Sequence, residues 1–443
     1  MELKFGWFGK RHESSSISKG DGDSDIVALK RSQANIDHAD KDRKSKISDN
    51  EAMRLFLLPE KIMHALSKGL VGREEEAKLI VIALMIREHV VFIGEPGISK
   101  SQIAEKTANL VKAKFFKYQL AETTRPEEII GPLDIKAFRR SEFKRNHKNK
   151  LPEAEIAFLD EIFNADSFIL NDLLSIFQEK VIYDGEAKIS VPLHTAIGTS
   201  NNVPTSKNLV AIYDRMLLRS FPEPVPESRV SDLVDAVWAN EFRHSKADNS
   251  GISKLSDMNK IYENLLESID LSKIKPRLVE VLAMLEKQNI HLSDRRKGKV
   301  LKAVAAHALL ERRTIAIEED LMILVHIAPH NLATAKRVKA MLEDELETPK
   351  KYLKILNDIN MNLNTTEELL SREAISESDL ESKKKFLLSA DDRISKIEGK
   401  FEDEELNSTC ENVSMHINAL LDKIQVIETN KEEQKKEGQS HAE

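Results

Sequence analysis

The sequence predicts an α/β domain with a parallel sheet, followed by a region that contains helices alone. Short apolar runs rich in β-branched residues alternate with segments of helical periodicity, which is typical of a parallel sheet with helices on its faces. The three clearest strands are "HVVFIG", "EIAFLD" and "HTAIGTSN". The alternation stops at "PEPVPES", where three prolines within five residues favour a stiff linker.

Composition shifts divide the chain into segments, because 443 residues are too many for one compact core. Residues 1–50 are rich in Ser, Asp and Lys without sustained periodicity, which is typical of disorder. Their aromatic stretch "FGWFG" is either a docking peptide or an incidental part of a solvated arm. The predicted segments are a disordered arm (1–50), an α/β core (51–225), an all-α lid (226–330), a helical, coiled-coil-like region (331–430) and a disordered tail (431–443).

Narrow apolar seams run through the C-terminal region. Apolar residues recur at steps of three and four from Tyr352 to Leu363, from Leu387 to Phe401 and from Leu406 to Ile427. Such seams suit coiled coils or helical hairpins, because a single apolar stripe needs another helix to cover it. The phase breaks at "EDEE", residues 402–405, which predicts two helices rather than one. The covering helix comes from the same tail, from a neighbouring copy or from a partner.

The overall composition favours a helix-rich protein of a reducing compartment. Charged residues make up 32% and hydrophobic residues 41% of the chain, a mixture that suits long solvated helix faces. Cys410 is the single cysteine, so no intrachain disulfide can form. The most apolar stretch, residues 77–93, is interrupted by Lys78, Arg87 and Glu88 and falls short of the roughly 20 apolar residues of a membrane span. We therefore expect a cytoplasmic protein with no membrane span.

A glycine-containing loop follows the strand "HVVFIG". Its residues are Gly94, Glu95, Pro96, Gly97, Ile98, Ser99, Lys100 and Ser101. The spacing is close to G-x-x-x-x-G-K-[ST], with Ser99 in place of the last glycine. In such loops backbone N–H groups surround phosphate oxygens at a helix N-terminus, a lysine reaches the β- and γ-phosphates and a hydroxyl faces Mg²⁺. Lys100 and Ser101 fit the last two roles, and a plain strand–turn–helix connection is the alternative.

Two carboxylates end the strand "IAFLD" at the edge where open α/β sheets bind ligands. Asp160 is suited to hold Mg²⁺ through its water shell, and Glu161 to orient and polarise an attacking water. The strand "AIGTSNN" ends in polar residues, of which Asn201 would fix that water. Acidic and polar residues end many strands, so the signal lies in their combination with the loop.

Four arginines in two segments are candidates for contact with phosphate. In "IYDRMLLRSF" we predict an apolar helix on which Arg215 and Arg219, four residues apart, share a face. They are either solvated or reach a phosphate on a neighbouring subunit as an arginine finger. In "LSDRRKGK" a Ser293-Asp294 cap would place Arg295 and Arg296 in the first helical turn. Cations there oppose the helix dipole, so we expect an anion beside them.

Taken in order, these motifs resemble the MoxR group of AAA+ ATPases, and most of all its RavA branch. The resemblance covers about residues 50–330, and "TTRPEEIIGPLDI" is similar to the segment where this group carries its helix-2 insert. A missing last glycine in the phosphate loop is usual in this group.

The resemblance implies a role for each motif residue. Gly94–Ser101 corresponds to Walker A and Asp160-Glu161 to Walker B. Asn201 corresponds to sensor 1, Arg295 to sensor 2, and either Arg215 or Arg219 to the arginine finger. "LVGREE", with Val71 and Gly72, matches the stretch that contacts adenine. The implied ligands are ATP and Mg²⁺.

The resemblance also implies an assembly and a partner. Proteins of this group form homo-oligomeric rings, usually hexamers, and work with a protein that carries a von Willebrand A domain. They act as chaperone-like remodelling machines. RavA proteins carry a β-rich module within their C-terminal helices, whereas this sequence predicts helices alone there.

Three functions follow from the sequence. The leading hypothesis is an ATP-hydrolysing remodelling motor, and the second is a nucleotide-regulated scaffold with little turnover. A DNA-processing ATPase is disfavoured by the net charge of −7. The basic run "FRRSEFKRNHKNK" keeps it open, although a solvated insert loop or a pore-side hairpin explains that run better.

Overall fold

The computed structural model describes residues 47–95, 100–184, 187–241, 251–371, 375–401 and 403–440. The "FGWFG" stretch lies outside these ranges, as do Pro96, Gly97, Ile98 and Ser99 of the glycine-containing loop. The described chain divides into two compact units. The first comprises the described residues up to Lys275 together with Ser293–Ala316, and the second comprises Pro276–Leu292 and the residues from Ile317 onward.

A five-stranded parallel sheet forms the centre of the first unit, in the order β2-β3-β6-β1-β7. Its strands are β1 (His89–Ile93), β2 (Phe115–Gln119), β3 (Ile156–Asp160), β6 (Thr195–Ser200) and β7 (Met216–Ser220). A separate hairpin pairs β4 (Val181–Asp184) with β5 (Ala187–Ser190). All residues of the central strands β1 and β6 are buried, as their β-branched apolar sequences predict.

Helices make up most of the rest of the first unit, which confirms the predicted α/β class. They are α1 (Asp49–Phe56), α2 (Leu58–Ser67), α3 (Glu74–Ile86), α4 (Lys100–Leu110), α5 (Pro126–Ile129), α6 (Ile135–Phe138), α7 (Ser167–Glu179), α8 (Lys207–Arg215), α9 (Val230–Glu241) and α10 (Leu255–Lys260). Helix α3 is buried on almost every side, from Ala77 to Ile86 with the exception of Lys78. The most apolar stretch of the sequence therefore forms a helix of the hydrophobic core, beside the sheet.

The segment "IYDRMLLRSF" differs from its prediction. Helix α8 ends at Arg215, and Met216–Ser220 is the edge strand β7, which pairs with β1. The expected helical face shared by Arg215 and Arg219 is therefore wrong. All five residues of β7 are buried, so pairing with the sheet and burial outweigh the helical preference of Met and Leu at this position.

The second unit is helical. It contains most of α11 (Ile274–Lys287), a 3₁₀ segment (Glu318–His326), α13 (Leu332–Glu345), α14 (Pro349–Leu370), α15 (Glu377–Ser395) and α16 (Glu404–Ser440). Helix α12 (Asp294–Leu310) belongs to the first unit, where Lys299 and Lys302 pair with Glu88. The division thus separates α12 from its neighbours within the segment predicted as a lid.

The C-terminal seams cover one another. Leu356 and Leu363 of α14, Leu387 of α15 and Leu406 and Ile417 of α16 belong to one buried cluster. Two separate helices form here as predicted: α15 ends at Ser395, and α16 begins at Glu404 within "EDEE" and continues to Ser440, past the predicted boundary at residue 430. None of the helices in the described ranges combines the length and apolar character that a bilayer span requires.

Candidate functional site

Three neighbouring strands bring the polar motif residues to one edge of the sheet. Strand β6 lies between β3 and β1, and all three run in the same direction. Their carboxyl ends therefore meet at one edge, where Gly94 follows β1, Asp160 ends β3 and Asn201 follows β6. Gly94 N donates a hydrogen bond of 3.0 Å to Ser200 O, which ties the start of the loop to the end of β6.

Lys100 faces the acid pair from the first turn of α4. Its Nζ donates to Gly94 O over 2.7 Å, so the side chain reaches back across the loop that precedes it. Burial lowers the pKa of Lys100, while the negative charges of Asp160 and Glu161 act in the opposite direction. Ser101, the predicted Mg²⁺ hydroxyl, occupies the same helical turn. The described part of the loop therefore places a cation beside two carboxylates, as a phosphate site requires.

Glu161 adopts a left-handed backbone conformation, with φ 51° and ψ 46°. A non-glycine residue rarely takes this conformation, which costs free energy unless the surroundings hold it. Asn201 Nδ2 donates to Glu161 Oε1 over 2.6 Å, and Asp160 accepts a hydrogen bond from the Thr199 hydroxyl. Glu161 with Asn201 and Asp160 with Thr199 thus form two hydrogen-bonded pairs at the same edge of the sheet.

The stretch "LVGREE" lies beside the same edge. Gly72 has φ +69°, and a Cβ there would stand 3.2 Å from Val225 Cγ2. Arg73 Nη1 donates to Gly72 O and to Glu223 O, each over 3.0 Å, so it ties this stretch to the chain beyond β7. Val71 and Gly72 therefore lie on a loop that Arg73 holds in place.

Glu76 is a buried carboxylate close to the site that the sequence motifs did not single out. Its side chain accepts a hydrogen bond of 3.1 Å from Ser220 Oγ at the end of β7. Burial raises the pKa of Glu76, and its charge acts on Lys100. The sequence could have marked Glu76 as buried, because it lies on a helix whose next ten residues are almost entirely apolar.

Arg215 and Arg219 have different surroundings. Arg219 is 1% exposed and lies over the Tyr213 ring, with 3.7 Å between its Cζ and the ring centroid. Arg215 is half-buried at the end of α8, where it donates to Ala211 O over 2.7 Å and to the Gln178 side chain. Arg215 is therefore the better placed of the two to meet an external phosphate.

Arg295 and Arg296 begin α12, and Ser293 caps this helix as predicted. Arg295 Nη1 lies 3.5 Å from Asp214 Oδ2, so Asp214 supplies the anion expected at this helix N-terminus. Arg296 is 1% exposed and donates to Met216 O over 2.8 Å and to Leu217 O over 2.7 Å. It fixes the junction between α8 and β7, immediately after Arg215.

This junction lies at the amino edge of the sheet. Met216 pairs with His89, the first residue of β1, whereas Gly94 follows the last. Five strand residues span roughly 16 Å at about 3.3 Å each. Arg215 and Arg295 therefore lie across the sheet from the Lys100 site of their own chain.

The residues of the Lys100 site fit a magnesium–nucleotide complex better than a bare metal. In the described ranges, no group of three or more His, Cys, Asp or Glu side chains is arranged to hold a metal ion. Asp160 and Ser101 would supply two oxygens, so phosphate and water must complete a magnesium shell.

Two family models match consecutive parts of the chain. Residues 58–261 match the MoxR domain of MoxR–vWA–β-propeller ternary systems, and residues 269–342 match an AAA lid domain. The uncharacterized protein MJ0812 of Methanocaldococcus jannaschii is 37% identical over 270 residues, which cover 60% of this chain and 70% of that protein. The chain belongs to the MoxR group of AAA+ ATPases.

More distant matches agree with this assignment. The chaperone MoxR1 of Mycobacterium tuberculosis is 20% identical over 286 residues, covering 62% of this chain and 75% of MoxR1. A crystal structure of an ATPase candidate from Cytophaga hutchinsonii has a TM-score of 0.55 and 15% identity, and the match covers 67% of this chain and 98% of that chain. At this identity the structure supports the fold alone.

Lys100, Asp160, Glu161 and Asn201 thus lie at one edge of the sheet, and their predicted roles in Walker A, Walker B and sensor 1 stay predictions. The RavA branch is not confirmed by these matches and stays a prediction.

Proposed function

We propose that this MoxR-group protein is an ATP-hydrolysing remodelling motor. The observation that carries the proposal is the convergence of Lys100, Asp160, Glu161 and Asn201 at one edge of the sheet. Lys100 would bind the β- and γ-phosphates, and the backbone N–H groups at the start of α4 would bind their oxygens. Mg²⁺, held with the nucleotide by Ser101 and Asp160, would neutralise phosphate charge.

Glu161 is the proposed general base. Its carboxylate would accept a proton from the water that attacks the γ-phosphate, and Asn201 would fix the direction of that carboxylate through their 2.6 Å hydrogen bond. A pre-positioned pair of this kind lowers the cost of orienting water in the transition state.

Hydrolysis in this proposal needs a second subunit. Arg215 and Arg295 share a corner with the carboxylate of Asp214, and burial together with the Arg295 charge lowers the pKa of Arg215. Two guanidinium groups beside one carboxylate have a net positive charge, which is available to bind an anion. Because this corner lies across the sheet from its own Lys100, we propose that it contacts the γ-phosphate of a neighbouring copy.

A contact between two different surfaces of identical chains is heterologous, and it closes into a ring when the rotation permits. We propose a ring, with the hexamer as the expected form. The partner class is a von Willebrand A domain protein, since the matching family is described in MoxR–vWA systems.

The test is Mg²⁺-dependent phosphate release by the purified full chain, measured over a range of protein concentrations together with sedimentation velocity. The motor predicts a specific activity that rises as the ring assembles. A chain that binds ATP tightly yet shows no turnover as a ring, with or without a von Willebrand A partner, would be a nucleotide-regulated scaffold instead.

A further inference from the structure

Residues 132–146 form an ordered platform between α5 and β3. Asp134 N donates to Lys144 O and Asn146 N donates to Pro132 O, each over 2.8 Å, so the two arms of the platform pair with each other. Leu133 and Arg145 form an antiparallel bridge between these bonds. The Asp134 carboxylate caps α6 by accepting from two backbone N–H groups.

The platform is also fastened to the unit beneath it. Arg145 N donates to the buried Asp184 Oδ2 over 2.7 Å, and His147 Nδ1 lies 2.7 Å from Ile130 O. Ala137, in the middle of α6, is 1% exposed. The backbone of the platform is therefore held by inter-strand hydrogen bonds, a helix cap and a buried carboxylate. A loop that only connects two elements through solvent does not require these contacts.

This ordered backbone holds three large apolar side chains in solvent. Ile135 is 67% exposed, Phe138 56% and Phe143 54%. The two phenylalanine rings meet edge to face, with 6.3 Å between their centroids. An exposed apolar group on a fixed backbone is typical of a surface that a partner covers.

Cations surround these apolar side chains. Lys136, Arg139, Arg140 and Lys144 are exposed, and Glu142 pairs with Lys144 over 2.9 Å and with Arg140 over 3.8 Å. The platform residues Asp134, Arg145 and Asn146 also line a cavity of about 880 Å³. Its charged and titratable lining consists of Lys114, Arg145, His147, Lys148 and Lys150 against Asp134 and Glu153.

We propose that the platform binds an acidic peptide segment that carries apolar side chains. The apolar side chains would pack on Ile135, Phe138 and Phe143, and the carboxylates would pair with Lys136, Arg139 and the cations of the cavity. The inference deepens the proposed function by naming a substrate class, and it rests on that function only in treating the bound peptide as the segment to be remodelled.

Nucleic acid fits the same surface less well. Glu142 places a negative charge among the cations, Ile135 offers no ring for stacking, and the edge-to-face contact occupies one face of the phenylalanine pair. The acidic chain as a whole, with a net charge of −7, also opposes a polyanion. A peptide with spaced carboxylates avoids much of this repulsion.

The test uses a fluorescein-labelled synthetic peptide in which Glu alternates with Leu and Phe. Fluorescence anisotropy with the full-length protein, in the absence of nucleotide, gives the Kd. Phe138→Ser combined with Phe143→Ser should weaken binding about tenfold or more, and Lys136→Glu combined with Arg139→Glu should do the same. The matched control is Val234→Ser with Val237→Ser on α9, two side chains that are 61% and 57% exposed, and it should change Kd less than about twofold.

Three results would overturn the inference. The first is equal peptide binding by the wild type and the phenylalanine variant, which includes no binding by either. The second is tighter binding of a single-stranded oligonucleotide than of the peptide. The third is a change in sedimentation of the phenylalanine variant with unchanged peptide affinity, which would assign the surface to a second copy. Because the peptide is bound without nucleotide, the measured peptide affinity does not depend on whether the protein hydrolyses ATP. Unchanged ATP affinity of each variant shows that its fold is intact.

Discussion

Asn201 Nδ2 donates a 2.6 Å hydrogen bond to Glu161 Oε1, and this contact joins the ends of two neighbouring strands at the nucleotide-facing edge of the sheet. Asn201→Ala should leave ATP affinity within about twofold and lower turnover about tenfold, because the carboxylate loses the group that orients it. Asn201→Asp should be worse, since two carboxylates would then repel at that distance. The readouts are calorimetric ATP affinity and the kcat for phosphate release, with Asn171→Ala on the exposed face of α7 as the control.

Lys100→Ala should abolish ATP binding. The substitution removes the cation that spans the loop to Gly94 O and faces Asp160 and Glu161. Calorimetry with ATP and Mg²⁺ checks this, and Lys112→Ala, at an exposed position beyond α4, is the matched control. Wild-type affinity in Lys100→Ala would contradict the phosphate-loop assignment.

Arg215 and Arg219 should respond differently to substitution by alanine. Arg215→Ala should keep ATP binding and stop hydrolysis, and mixing it with Lys100→Ala protein should restore part of the activity, because some interfaces then pair an intact loop with an intact arginine. Arg219→Ala should instead lower the free energy of unfolding by about 2 kcal/mol, since it empties the buried space over Tyr213.

Urea unfolding separates these two effects, and rings shown to exchange subunits are needed for the mixing. Absence of recovery at every mixing ratio would argue against action between subunits. A stable, inactive Arg219→Ala protein that retains ATP binding would transfer the finger role to Arg219.

Stability should fall in acid because of buried histidines at the amino edge of the sheet. Burial, with Arg87 and Lys180 nearby, lowers the pKa of His194 to about 3 from an ordinary 6.5. The folded state therefore disfavours the protonated ring. The contribution of neutral His194 to the stability of the fold is complete above pH 6.5 and is lost as the pH falls from 6.5 towards 3.

At pH 4 the loss from His194 alone is about 3 kcal/mol, at about 1.4 kcal/mol per pKa unit. Burial also lowers the pKa of His89, which acts in the same direction. Denaturant titrations from pH 7 to pH 4 measure the effect. His194→Gln should flatten the profile and His64→Gln, at an exposed position on α2, should not; equal slopes in both variants would contradict the assignment to His194.

The sequence allowed prediction of the Lys100 site because parallel strands deliver their carboxyl ends to one edge. Strand runs that end in Asp160 and Asn201 are enough to place these side chains together once the strands are recognised. The edge strand β7 was missed, since "MLLRS" has no β-branched residue and no alternation, and pairing with β1 decides its conformation. For that reason, the sequence analysis placed Arg215 and Arg219 on one face of a single helix.

Residue type alone also could not predict the role of Arg296. Arg295 and Arg296 are adjacent and chemically identical, but only Arg296 shares the helical face of Val300 and Val304, which are buried. Helical spacing could have marked it as the internal arginine. Nothing in the spacing shows that its partners are the carbonyls of Met216 and Leu217, because these belong to a distant segment.

Glu161→Gln tests the central claim most directly, because it keeps the shape of the side chain and removes only the proposed base. Measured in the same preparation, Mg²⁺–ATP affinity should stay within about twofold while kcat falls about 100-fold or more. Glu105→Gln, on the exposed side of α4, should match the wild type in both. Hydrolysis of ATP by Glu161→Gln at the wild-type rate would contradict the assignment of Glu161 as the base, and with it the proposed mechanism of the motor.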